Sequence, residues 1–158
     1  MTSFEQGEFR TVLGHFASGV VLITGDHDGH PAGLTCQSFI SLSLDPPLVA
    51  FAPGKKSTSW PRVSSSGSVC VNILGAHQES LARTFAQTGA DKFAGVGWSP
   101  AANGAPRLHG ALAWLDCEIE TVHDEGDHYL VVAKVTDLDV GEGEPLLFYR
   151  GGFGNFKA

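Results

Sequence analysis

The chain has 158 residues, 42% of them hydrophobic, and a formal net charge of −7 at pH 7. That length carries one sizeable core and is short for two ordinary domains, so a single domain over residues 1–158 is expected. Lys55 and Lys56 are the only adjacent basic residues, which leaves no stripe to neutralise a run of phosphates and excludes a nucleic-acid binder.

In chain order, Phe9, Val12, Leu13 and Phe16 recur at the i, i+3, i+4, i+7 spacing of an amphipathic helix that Gly19 closes. Apolar and β-branched runs follow at Val20 to Thr24, Ala32 to Phe39, Leu48 to Ala52 and Ser68 to Leu74. Gly, Pro, Asp or Ser bound each run, as turns bound strands. Between the third and fourth runs, Ser57 to Ser66 carries Trp60 and Val63 at helical spacing, with Ser57, Thr58 or Ser59 to cap the first turn. A further helix is predicted from about Gln78 to Ala86, where Leu81 and Phe85 share a face.

The second half returns to strands. From Ala113 to Val122, Cys117, Ile119 and Thr121 alternate with Asp116, Glu118 and Glu120, which predicts one buried and one wet face. Asp124 to Asp127 reads as a turn into a strand from Tyr129 to Val135, and a last strand, Pro145 to Tyr149, ends at Arg150, Gly151 and Gly152. Many antiparallel strands with a few short helices predict a mainly β fold, a closed or nearly closed barrel that leaves no unpaired edge. Cys36, Cys70 and Cys117 form an odd set without a C-x-x-C pair, and no window approaches the roughly 20 apolar residues of a membrane span. With no signal-peptide pattern at the N-terminus, a soluble cytoplasmic protein with free thiols is expected.

Familiar motifs fail on inspection. Gly54-Lys55-Lys56-Ser57 resembles the tail of a P-loop, but Val49 stands where the first glycine belongs and Lys56 where Ser or Thr should follow the lysine. Gly95 and Gly97 begin a G-x-G that Pro100 interrupts. His27 and His30 sit in a polar turn and read as turn residues rather than metal ligands, so no metal is expected. Ser64, Ser65 and Ser66 lack the elbow that exposes an acyl-transfer nucleophile.

A flat, phosphate-bearing cofactor needs an apolar wall, donors for developing negative charge and an anion site. Thr35 to Phe39 mix small polar side chains with backbone N–H groups, and Lys55, Lys56, Ser57 and Thr58 precede a helix whose N-terminus favours phosphate. Composition allows this reading and does not demand it.

A resemblance adds to it. Thr35-Cys36-Gln37-Ser38-Phe39, Ser41, Ser43, Asp45-Pro46-Pro47, Lys55-x-Ser57 with Trp60, Val71-Asn72, Asp91-Lys92-Phe93-Ala94-Gly95, Gly126-Asp127-His128 and Leu146 to Gly152 stand in order between Phe9 and Phe153. Together they resemble the reductase components of two-component flavin-dependent monooxygenases, a flavin reductase-like family of FMN-binding split barrels, usually homodimers. The resemblance implies an NAD(P)H:flavin oxidoreductase that passes hydride from the nicotinamide C4 to the N5 of FAD or FMN and supplies reduced flavin to a separate monooxygenase.

The same resemblance implies that Thr35, Cys36, Gln37, Ser38 and Phe39 line the flavin ring and the start of its tail. Pro53, Lys55, Lys56, Ser57, Thr58 and Trp60 would hold ribityl and phosphate groups, with Phe85, Lys92 and Phe93 completing the pocket. His128 is the candidate catalytic contact to NADH or NADPH, with Tyr149, Arg150, Gly151 and Gly152 closing over it. Many relatives carry Ala-Asn-Ser where this chain has Cys36-Gln37-Ser38, which leaves FAD against FMN open. By base rate Phe39, Phe85 and Phe93 are core residues first, Asn72 serves a backbone hydrogen bond, and Cys36 is a small packing residue. The rival readings are a carrier or sensor that binds flavin tightly without releasing it reduced, and a barrel-shaped interaction module.

Overall fold

The computed structural model describes residues 3–89 and 91–158. Helix α1 (Gln6–Leu13) opens the chain, followed by β1 (Ser18–Gly19), β2 (Val21–His27), β3 (His30–Cys36), β4 (Ile40–Leu44) and β5 (Pro47–Phe51). Then come α2 (Trp60–Val63), β6 (Ser68–Ile73), a 3₁₀ turn (Ala76–Gln78) leading into α3 (Glu79–Phe85), and the small strands β7 (Trp98–Pro100) and β8 (Pro106–Leu108). The long hairpin β9 (Ala113–Glu125) and β10 (His128–Val140) precedes β11 (Leu146–Tyr149) and β12 (Gly152–Asn155).

Seven antiparallel strands pair in the order β3-β2-β6-β9-β10-β5-β4. The outermost two, β3 and β4, are consecutive in the chain and joined through residues 37–39, so the barrel is split at that seam. The Ser38 hydroxyl bridges it, accepting from Ala52 N at 2.8 Å and donating to Ala52 O at 3.2 Å. The mainly β barrel with few short helices is therefore the observed fold.

Inside, Val21, Ile23, Phe51, Val69, Val71, Val131 and Ala133 fill the barrel. The intervening residues Val20 and Leu22 face a second cluster with Leu74, Phe85, Leu108 and Leu146. Strand β2 is thus covered on both faces, which is why its sequence reads as a continuous apolar run. Gly25 allows α2 to lie on β2, since a Cβ there would collide with the Val63 carbonyl oxygen.

Polar groups tie the second layer to the first. The Asn72 side chain donates to Leu22 O at 3.0 Å and accepts from Leu108 N at 2.8 Å, a backbone role that anchors β8. Arg107, carried on β8, forks onto Asp116 with contacts of 3.1 and 2.8 Å.

Four expectations need correction. Asp116, assigned to the wet face of β9, is only 1% exposed, because the β7–β8 hairpin covers that stretch and Arg107 neutralises it. Thr121, assigned to the buried face, is exposed near the free end of the hairpin. The helix expected over Ser57 to Ser66 shrinks to the four residues of α2, with Ser57 Oγ accepting from Trp60 N at 3.1 Å. The opening helix ends at Leu13 and buries nothing: Phe9, Val12 and Leu13 are exposed, and Phe16 beyond it is 83% exposed.

Strands β4 and β12 were not foreseen. β12 follows a tight turn in which Arg150 and Gly151 take φ of 50° and 79°, the paired positive values that reverse a hairpin.

Candidate active site

The seam of the barrel opens onto a groove. One part, about 330 Å³, is lined by Leu34, Thr35, Cys36, Gln37, Ser38, Ala52, Pro53, Gly54, Ala86 and His128. It continues through Leu34, Thr35, Gly54 and Ala86 into a second part of about 210 Å³, where Ser57, Thr58, Ser59, Phe85 and Lys92 join the wall. The end of β3, the loop after β5, the end of α3 and the tip of the β9–β10 hairpin build it. Backbone bonds lock the tip to the loop: Lys55 N to Asp127 O and Tyr129 N to Pro53 O, both 2.9 Å.

The side-chain hydroxyls here are largely committed to the fold. Thr35 Oγ1 donates to Ala82 O at 2.7 Å, fixing α3 against β3, and Ser38 closes the seam. The backbone N–H groups of Gln37, Thr58 and Ser59 meet no protein acceptor among the described residues, so donors along this wall remain for a ligand or water. Lys92 donates to Ser59 Oγ at 2.9 Å and Phe85 O at 3.1 Å. Partial burial and the nearby Arg62 hold its proton less tightly than an ordinary lysine does. An ammonium in that condition gains from a neighbouring anion.

His128 stands at the other end. Its Nδ1 lies 2.7 Å from Asp127 Oδ1, and that contact keeps the Asp127 carboxyl below the usual carboxylate range. The imidazole also borders a separate cleft of about 600 Å³, lined by Phe9, Arg10, Leu13, Phe16, Gln37, Asp127 and Phe148 among others.

Several expected site residues lie elsewhere. Trp60 is in the barrel core, edge-on to Phe51 at 5.7 Å. Phe39 packs on the outside of the same core. Lys55 turns to Asp124 and the Tyr129 ring, and Lys56 is exposed without a groove contact. Phe93 meets Phe85 edge-on at 4.9 Å beyond the groove's end. Tyr149 packs against His15, and Arg150 N donates to Gly14 O at 2.9 Å, so the 149–152 turn holds the end of α1 rather than lining a cleft. With four residues, α2 is too short to offer a phosphate a helix terminus; the polar groups at that end of the groove are Lys92 and the free N–H groups of Thr58 and Ser59. Leu34, Ala52, Ala86 and the cleft side of α1 were missed, for apolar and small residues carry no chemical signature in a sequence.

The geometry defines a class: a split antiparallel barrel with an elongated groove suited to a flat, phosphate-bearing ligand, and a second cleft meeting it at Gln37 and His128. Comparison with known proteins gives that class its family. A model of the flavin reductase like domain matches residues 13–157. The chain is 50% identical over 144 residues to the reductase subunit HsaB of a flavin-dependent monooxygenase from Rhodococcus jostii, covering 90% of this chain and 74% of the relative. Nitrilotriacetate monooxygenase component B from Mycobacterium thermoresistibile superposes with a TM-score of 0.93 at 47% identity, over 96% of this chain and 87% of the other. The NADH:FAD oxidoreductase SgcE6 of Streptomyces globisporus, solved with NAD and FAD fragments, superposes with a TM-score of 0.91 at 35% identity, over 97% and 93%. The chain belongs to the flavin reductase-like family. It is an oxidoreductase, an NAD(P)H-dependent flavin reductase.

Proposed function

We propose that the seam groove holds FAD or FMN and that the cleft beside α1 receives the reduced nicotinamide nucleotide, with His128 at their junction. The carrying observation is that the His128 imidazole and Gln37 line both spaces. The groove fits the cofactor by its donors and its charge: flat apolar walls at Leu34, Ala52, Pro53 and Ala86, unpaired backbone N–H groups, and Lys92 near the end that would take the phosphate. Bound flavin supplies a two-electron acceptor for hydride.

The chain's own residues orient rather than react. Thr35, Cys36, Gln37 and Ser38 form one wall, Pro53 and Gly54 the other, and Ser57, Thr58 and Lys92 the polar end. Asp127 restrains His128 at the junction. Holding two rings in register accounts for most of the rate, since proximity and orientation alone lower a bimolecular barrier strongly. Reduced flavin then leaves for a separate monooxygenase, as expected of a reductase component.

One domain over 1–158 carries this activity in the cytoplasm as a homodimer. The three cysteines are unpaired, as in a reducing compartment, and no helix among the described residues is long and apolar enough to cross a membrane. A second copy covers the outward apolar face of Phe9, Val12, Leu13 and Phe16, which borders the nicotinamide cleft. NADH oxidation by the purified chain should rise with added FAD or FMN, and Ala86→Trp, which fills the groove, should abolish flavin binding measured by fluorescence quenching. Flavin binding unaffected by that tryptophan would move the site elsewhere, and one unexchanging equivalent of flavin would favour the carrier.

A further inference from the structure

Beyond Lys92 the groove does not stop. Through Thr58, Ser59 and Lys92 it opens into a larger recess of about 700 Å³, lined by His30, Pro31, Ala32, Gly33, Arg62 and Phe93 among others. Nothing in the reaction so far uses this space, since a flavin mononucleotide ends at its phosphate.

Its charges are unusual for an acidic protein. Arg62 and Lys92 share the recess, yet Arg62 meets no carboxylate among the described residues, and the Lys92 contacts are to a hydroxyl and a carbonyl, both neutral. Asp91 is on the same wall, but its Oδ1 accepts from Phe93 N at 3.3 Å, and neither cation forms an ion pair with it. Two cations lining one recess without an ion-paired carboxylate favour an anion shared between them, and burial together with the nearby Arg62 already loosens the Lys92 proton. Past them the wall turns apolar at Pro31, Ala32 and Phe93, a surface for a flat base.

We infer that this recess takes the adenylate half of a dinucleotide, with Arg62 and Lys92 bracketing the pyrophosphate, and that the dinucleotide is FAD. The inference rests on the flavin occupying the seam groove. It makes Arg62 a residue that selects FAD over FMN, for FMN reaches Lys92 and has nothing to place beyond it. An ADP moiety could equally arrive as part of NADH, but the recess continues the phosphate end of the groove and lies away from the cleft that His128 shares with α1.

The test is equilibrium binding, read by fluorescence quenching without NADH, with riboflavin, FMN and FAD as a graded series. The wild-type chain should bind FAD about tenfold tighter than FMN, and Arg62→Ala should erase that margin while leaving FMN unchanged, with Arg62→Lys restoring part of it. AMP should weaken FAD binding competitively and leave FMN binding intact. Equal losses for FMN and FAD in Arg62→Ala would assign Arg62 to the phosphate both share and overturn the inference. So would unchanged FAD affinity accompanied by a weaker Kd for NADH, which would give the recess to the nicotinamide nucleotide. Riboflavin binding that survives Ala86→Trp would instead sink the seam groove itself, separating that failure from this one.

Discussion

The barrel and the opening helix treat the same kind of residue in opposite ways. In β2, β5, β6 and β10 the apolar side chains are sealed against one another, Phe51, Val69, Val71 and Val131 to zero exposure. In α1 an equally regular apolar face at Phe9, Val12 and Leu13 buries nothing within the chain. Periodicity reports that a face will be covered; it does not say whether the cover comes from the same chain. The barrel is self-sufficient, whereas the apolar face of the helix beside the second cleft has no cover within the chain, as the proposed dimer requires.

That contrast can be broken by mutation. The largest effect belongs to Phe51→Ala, which opens a cavity between the sheet and Trp60 and should cost about 4 kcal/mol of unfolding free energy in urea titration. Asp116→Ala should follow at about 2 kcal/mol, because it removes two charge-assisted hydrogen bonds that hold β8 while Arg107, partly exposed, keeps Asp137. Losses under about 1 kcal/mol in both would mean that the barrel is looser than its packing implies.

His128→Ala should raise the KM for NADH about tenfold, as for the loss of a hydrogen-bonding contact to a charged or polar partner, and weaken the flavin Kd much less, about twofold, because the imidazole only borders that groove. An unchanged KM would detach His128 from the nucleotide cleft. On the helix side, Phe9→Ser with Leu13→Ser should change the stability of the diluted chain by no more than about 0.5 kcal/mol per site, while sedimentation shifts from dimer to monomer. A wild-type chain already monomeric at micromolar concentration would end the idea that a second copy covers this face.

The smallest effect is chemical. Burial pushes the Cys117 thiol up to about 12, raises Cys70 further with the help of Asp116, and raises Cys36 as well. The native state therefore holds these protons longer than the unfolded chain does. The associated stability is full below the ordinary thiol range and is lost as pH climbs past it. At pH 8 a thiol reagent should label the folded chain hardly at all and all three cysteines in urea; rapid labelling of the native chain would show that the interior opens.

Much of this molecule was readable as a string. Alternation and turn residues located β2, β3, β5, β6 and the β9–β10 hairpin, because strand pairing across Gly126 is a local affair. β12 escaped because Gly152–Asn155 is half glycine and pairs only with its neighbour β11. The resemblance did point, at Thr35 to Ser38 and at His128, to residues that line one groove although they stand some 90 positions apart, while Phe39 in the same motif packs on the core.

The sequence by itself determined the longer apolar strands, the β9–β10 hairpin, the acidic balance and the family, since these rest on local conformational preference and on motifs in order. Tertiary structure alone decided which side chains reach the groove. Trp60 went to the core and Lys55 to Asp124, while Ala52 and Ala86 arrived at the wall of the groove and Arg62 at that of the adjoining recess. The reason is geometric: a side chain's neighbours depend on how distant strands register and how short helices lie across them. Gly25 beneath Val63 and Arg107 above Asp116 set those contacts across 38 and 9 residues of intervening sequence separation.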